Sequence, residues 1–218
     1  FKEIDDVAIA APLTKYSATI TDGERINEFV DRAVKIATNG YPGAVHLSLP
    51  VDIMFSHFAE DAGRDERPFD LSMQLPARAW PEPARLQKML QKLNAAKRPV
   101  LIGGHGVWWA KAEAKLEEAG RLLGIPVFNI PYHQKLLGEE CEAYMGLADI
   151  HQYHPSADAF RDADLVLMVG GRLDNQMNFG NPPLFPSSAK LACVNGSHEE
   201  IEFNRAADFA LLCDQPAF

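Results

Sequence analysis

The chain has 218 residues, 47 % hydrophobic and 23 % charged, ordinary values for a globular protein with room for one large or two small domains. Its 21 basic against 30 acidic side chains leave a net charge of −9, which argues against nucleic-acid binding, a function that needs a basic face. No apolar run approaches the roughly 20 residues that cross a bilayer, no signal peptide is legible, and three widely spaced cysteines, Cys141, Cys193 and Cys213, suit reduced thiols in a cytoplasmic protein.

In chain order, Ile4, Val7, Ala8 and Ala11 recur at helical spacing, and Pro12 stops the run. Thr21-Asp-Gly-Glu24 has the form of a capping box, in which threonine oxygen and glutamate carboxylate satisfy each other's free amides. The helix it predicts carries Ile26, Phe29, Val30, Ala33, Val34 and Ala37 on one face and ends at Asn39-Gly40. Residues 44–50 form a strand, with Val45, Leu47 and Leu49 on one face and Pro50 closing it. A helix and one strand make no domain alone. Residues 1–55 therefore read as the last α/β units of a preceding sheet, and the chain as a piece of something longer.

Residues 56–82, rich in proline and charge and poor in periodicity, read as a linker. Pro83 suits a first helical turn, and Leu86, Met89, Leu90 and Leu93 give that helix its apolar face. Val100 to Ile102 is an aliphatic strand ending in glycines. A single helix is expected next, with Ala112, Leu116, Ala119, Leu122 and Leu123 on its buried face and Gly124 closing it, followed by a strand from Val127 to Ile130. Residues 131–154 read as irregular. Strands then follow at 165–169, 191–194 and 209–213, with a short helix opened by a second capping-box pattern, Ser197-His-Glu-Glu200. Alternating β and α units over residues 83–218 predict a doubly wound parallel α/β sheet.

Gly103, Gly104 and Gly106 permit tight turns and a close approach by an anionic ligand to amides at a helix N-terminus; a plain strand-to-helix turn is the alternative. The dinucleotide fingerprint fails, because Trp109 stands at its third glycine and Asn129-Ile130 where a ribose-binding acid is expected. His105 either touches a bound phosphate or caps the helix. Gly170, Arg172 and Asp174 follow a buried strand at the sheet's C-terminal edge, where open α/β sheets bind ligands. Arg172 offers a planar donor fork for a pyrophosphate, with a surface pair to Asp174 as the alternative. Asp214 ends the last strand and either accepts from an adenine amino group or serves a turn. His151 and His154 lack a nearby glutamate or cysteine and read as incidental rather than as a metal pair. No metal ligand set is expected.

Several stretches resemble thiamine diphosphate enzymes of the acetolactate synthase, benzaldehyde lyase and 2-hydroxyacyl-CoA lyase type. Residues 1–15 and 43–52 are similar to the end of that family's pyrimidine-binding domain. Lys97-Arg-Pro-Val-Leu-Ile-Gly-Gly-His-Gly106, Leu123-Gly-Ile-Pro-Val127, Ala163-Asp-Leu-Val-Leu-Met-Val-Gly-Gly-Arg-Leu-Asp174 and Ser188-Ala-Lys-Leu191 are similar to its central domain, and residues 173–186 to the lyase branch.

The resemblance implies a central domain of about six parallel strands. In some branches that domain holds FAD or ADP, in others nothing. Here Gly103, Gly104, Gly106, Arg172, Asp174 and Asp214 would line the nucleotide position. The family's acidic pair after the penultimate strand is replaced by Asn195-Gly-Ser-His198. The resemblance further implies a parent lyase or carboligase for 2-hydroxy ketones, 2-keto acids or 2-hydroxyacyl-CoA, dimeric or tetrameric, using thiamine diphosphate and Mg²⁺. The glutamate that activates that cofactor and the Gly-Asp-Gly…Asn motif that holds the metal match no segment of this sequence, so this piece alone is expected to be inactive. Lys2 takes the place of a family glutamine facing the substrate, and Lys15 matches a lysine near the substrate entrance. The alternative is a non-catalytic module binding ADP or FAD, or an oligomer scaffold.

Overall fold

A computed structural model, describing residues 4–57, 79–131, 136–149 and 156–218, separates the chain into two units, residues 1–77 and 78–218. In the first, helix α1 (Asp6–Ala10) is capped by Asp5, whose carboxylate accepts from Ala8 N at 2.8 Å. Strand β1 (Tyr16–Thr19), helix α2 (Ile26–Thr38), strand β2 (Val45–Ser48) and the single-turn helix α3 (Val51–Met54) follow. The two strands pair in parallel, Tyr16 opposite Val45 through Thr19 opposite Ser48. Strand β1 escapes sequence reading because four residues with one large apolar side chain, Tyr16, are too short and too weakly apolar a run to stand out. The Thr21–Glu24 capping box does not form. Asp22 caps instead, its carboxylate accepting from Glu24 N at 3.0 Å and closing a local turn.

The second unit runs helix α4 (Pro83–Ala95), strand β3 (Pro99–Gly103), helices α5 (His105–Trp109) and α6 (Glu113–Leu123), strands β4 (Val127–Asn129) and β5 (Tyr144–Leu147), helix α7 (Ser156–Arg161), and strands β6 (Leu165–Val169), β7 (Lys190–Asn195) and β8 (Phe209–Leu212). The six strands form one parallel sheet in the order β5-β4-β3-β6-β7-β8. This is the doubly wound α/β arrangement that the alternation of elements predicts.

Its strands are apolar at nearly every position because both faces are covered. Leu101, Leu167 and Val194 enter a core with Met89, Leu93 and Leu116, while Val100, Ile102, Val166 and Met168 enter a second with Phe128, Phe160 and Phe185. Successive residues of one strand thus serve opposite cores.

Four expectations for the second unit need correction. The helix after Gly106 is two helices, broken at Lys111, which sits at φ 52°. Leu122 and Leu123 are exposed rather than buried, because the inner face of α6 follows Leu116 and Gly120; at Gly120 the missing Cβ admits Val127 and Ala143. The 3-10 turn His198–Glu200 has no side-chain cap, since Glu200 faces Arg172 instead. Strand β5, within the stretch read as irregular, is short, lies at the sheet edge and contains Gly146 at φ 110°, which hides it from a pattern search. Most of the expected linker, residues 58–78, lies outside the described residues.

Candidate functional site

The winding of the sheet reverses between β3 and β6: one half proceeds from β3 outward to β4 and β5, the other from β6 to β7 and β8. Loops leaving these two strands part in opposite directions, which makes the carboxyl edge between them the place where such sheets open a crevice. Both glycine turns end there. Gly104 and Gly106 lie next to Gly170 and Gly171, so the structure brings together residues far apart in sequence.

The approach is closer than any side chain permits. A Cβ on Gly104 would stand 2.4 Å from Gly171 Cα, and one on Gly106 would stand 2.8 Å from Gly170 Cα. Gly104 N donates to Val169 O at 2.9 Å, Gly106 N to Gly170 O at 2.6 Å, and Val107 N to Gly104 O at 3.0 Å. The Gly104 and Gly106 amides are therefore spent on the end of β6 and the turn after it, and the Val107 amide within its own turn. His105 opens α5, its ring 6.3 Å from that of Trp108.

Arg172 leaves the second turn and pairs with Glu200 at 3.5 Å, its guanidinium 5.0 Å from the ring centre of Phe203. Burial pushes the Glu200 carboxyl above the usual range; Arg172 draws it back and Glu199 raises it further. Asp174 does not pair with Arg172 but caps the 3-10 segment Asn175–Gly180, accepting from Gln176 N at 3.0 Å. Asp214 accepts from Ala79 N at 3.2 Å and returns a backbone bond to Ala79 O. Lys15, in the first unit, donates to the carbonyls of Asn39 (2.5 Å) and Tyr41 (3.0 Å), closing the C-terminus of α2. Lys2, His151 and His154 lie outside the described residues. Among the described residues no three metal-ligating side chains cluster, and no helix is long and apolar enough to cross a membrane.

At this edge Asn195 and Asn129 entered the sequence reading only as departures from an expected acid, and Gln215 escaped it. Asn195 donates to Gly171 O at 3.4 Å and accepts from Ser197 N at 3.1 Å. With its amide oriented by its partners, Gln215 donates to Gly106 O at 3.3 Å and accepts from Gly196 N at 3.2 Å. Only its place beside Asp214 hinted at Gln215. At the end of β4, Asn129 is buried and neither of its amide atoms makes a well-formed hydrogen bond; the Tyr144 phenol approaches them. Nucleophilic chemistry finds little here: burial pushes the Cys193 and Cys213 thiols up to about 11, so both stay protonated at neutral pH.

Residues 86–218 match the family described as thiamine pyrophosphate enzyme, central domain. The chain is 27 % identical to the acetolactate synthase large subunit of Cyanidium caldarium over 98 % of its own length and 36 % of that protein's. With the 2-hydroxyacyl-CoA lyase of Arabidopsis thaliana it shares 26 % identity over 94 % of its length and 35 % of the relative's. The chain thus spans about a third of the relatives it matches. Among solved structures, it superposes on the benzoylformate decarboxylase of Polynucleobacter necessarius with a TM-score of 0.75 at 20 % identity, over 98 % of this chain and 39 % of that one. On a thiamine diphosphate-dependent 4-hydroxybenzoylformate decarboxylase of Rhodococcus jostii the score is 0.78 at 18 %, over 98 % and 40 %.

Proposed function

This chain belongs to the thiamine pyrophosphate enzymes, residues 86–218 being the central domain, and from that premise we propose that it is an internal part of a carbon–carbon lyase or carboligase. The parent acts on a 2-hydroxy ketone, a 2-keto acid or a 2-hydroxyacyl-CoA. The observation that carries this is the reach of the similarity: both relatives align across 94 % or more of the chain, including the α/β units that precede the family match.

Thiamine diphosphate, when bound, supplies the ylid that adds to a carbonyl and holds the resulting carbanion. We assign the residues that hold the cofactor to the rest of the parent, because the motifs the family uses for it match no segment of this sequence. The contribution of this chain is placement: the second unit forms a rigid parallel sheet, and the first carries Lys15 at its strand entrance, stiffened by two carbonyl contacts.

The test is turnover. The full-length parent with thiamine diphosphate and Mg²⁺ is assayed for carbonyl product from a 2-keto acid, a 2-hydroxy ketone and a 2-hydroxyacyl-CoA, and the 218-residue chain is assayed in parallel. Product from the parent and none from the chain is expected. A parent inert on all three classes sinks the reading, and so does a chain that turns over alone.

A further inference from the structure

A nucleotide seated at the carboxyl edge of a doubly wound sheet needs free amides at a glycine turn, a cation for its phosphates and an acceptor for its ribose. Each of these has been diverted here. The Gly104 and Gly106 amides bond to the facing turn, whose backbone lies so near that no Cβ fits between. Arg172 pairs with the buried Glu200 against Phe203. Where an acid would meet the ribose, Asn195 folds into its own turn and reaches Gly171 O. Gln215 then spans the crevice from Gly106 O to Gly196 N.

We infer that this chain fills the crevice with its own side chains and takes neither FAD nor ADP there, the second unit serving its parent as a nucleotide-free scaffold. The backbone ends of β3, β6, β7 and β8 are laced directly to one another. Besides the glycine contacts, Gly170 N donates to Val194 O at 2.8 Å and Cys213 N to Asn195 O at 3.0 Å. Lys115 of α6 donates to Pro216 O at 2.5 Å, tying the end of the chain to the same edge. A dinucleotide crossing this edge would have to displace the Gln215 amide from both Gly106 O and Gly196 N. The inference rests on the family membership and not on the proposed reaction.

The experiment is calorimetric titration of the 218-residue chain with FAD and, separately, with ADP, up to on the order of 1 mM, alongside thermal unfolding with each nucleotide. No saturable heat and an unmoved midpoint are expected. Gln215→Ala, which removes two hydrogen bonds from the lacing, lowers the midpoint by roughly 3–6 °C. Saturable binding of either nucleotide to the wild-type chain overturns the inference, as does a Gln215→Ala midpoint equal to wild type. The wild-type titration decides even where the variant does not fold. Neither readout involves turnover, so an inactive parent leaves the result intact.

Discussion

At Gly104 and Gly124 the same residue type does two different jobs. Gly124 ends α6 at φ 63° with nothing within 4 Å of a would-be Cβ, so Gly124→Ala costs only the left-handed penalty, about 1 kcal/mol. Gly104→Ala instead drives a methyl into the backbone of Gly171 and is expected to cost about 3 kcal/mol. Urea unfolding of both variants checks the contrast; equal losses would mean the two turns can part freely. Asn129 makes the opposite case. Its buried amide is left without a good partner, so Asn129→Leu, of similar size, should hold or raise stability by about 1 kcal/mol. A loss of more than that in the same assay would show that the amide has a partner in solution.

Between elements, one carboxylate joins two connections. Asp164 accepts from Lys97 N at 2.7 Å and Arg98 N at 2.9 Å, binding the α4–β3 turn to the entrance of β6. Partial burial opposes its charge, but those two amides outweigh the burial, and the carboxyl titrates below its usual range. A depressed folded-state value stabilises the protein above the unfolded value and is lost as pH falls through the folded one. Asp164→Asn should therefore cost about 1 kcal/mol at pH 7, kept small by solvent, with the gap to wild type closing below pH about 4. Stability curves of the two proteins against pH give the test, and a gap independent of pH argues against the ionised contact. Strain marks another element: Asn178 and Phe179 both sit at positive φ, 48° and 54°, in the loop after Asp174. Phe179 is 44 % exposed, so Phe179→Gly relieves a left-handed penalty of about 1 kcal/mol but gives up roughly as much in ring packing and unfolded-state entropy, and chemical unfolding should show a net change within about 1 kcal/mol.

At the scale of the whole molecule the two units differ in self-sufficiency. The second has six paired strands and two cores. Among the described residues the first has two strands, every residue of them only half-buried, and leaves Ile9, Leu13, Val51 and Phe55 exposed. Two strands and their helices are marginal in water. A peptide of residues 1–57 is accordingly expected to be largely unfolded by circular dichroism, whereas residues 78–218 give a cooperative thermal transition. A cooperatively folded peptide would show that the first unit needs nothing added to it. This imbalance accords with the family match, which lies within the second unit at residues 86–218, and with a chain that covers about a third of its relatives' length.

What the sequence by itself determined was the architecture and its family. Continuous aliphatic runs ending in glycine, spaced by amphipathic helices, admit little besides a parallel sheet covered on both faces. It also placed Gly103, Gly104, Gly106, Gly170, Arg172 and Asp214 on one edge, since all of them follow strand ends. What each of these residues does was decided only by tertiary structure. Whether a turn amide faces a ligand or the carbonyl of another turn depends on strand order, and the reversal that sets β3 beside β6 joins residues more than 60 positions apart. Glu200 reads as a cap and is the counter-ion of Arg172; Asp174 reads as a partner of Arg172 and is a cap. Gln215 carries no pattern at all, because a side chain that bridges two loops leaves no periodic trace in the segment that holds it.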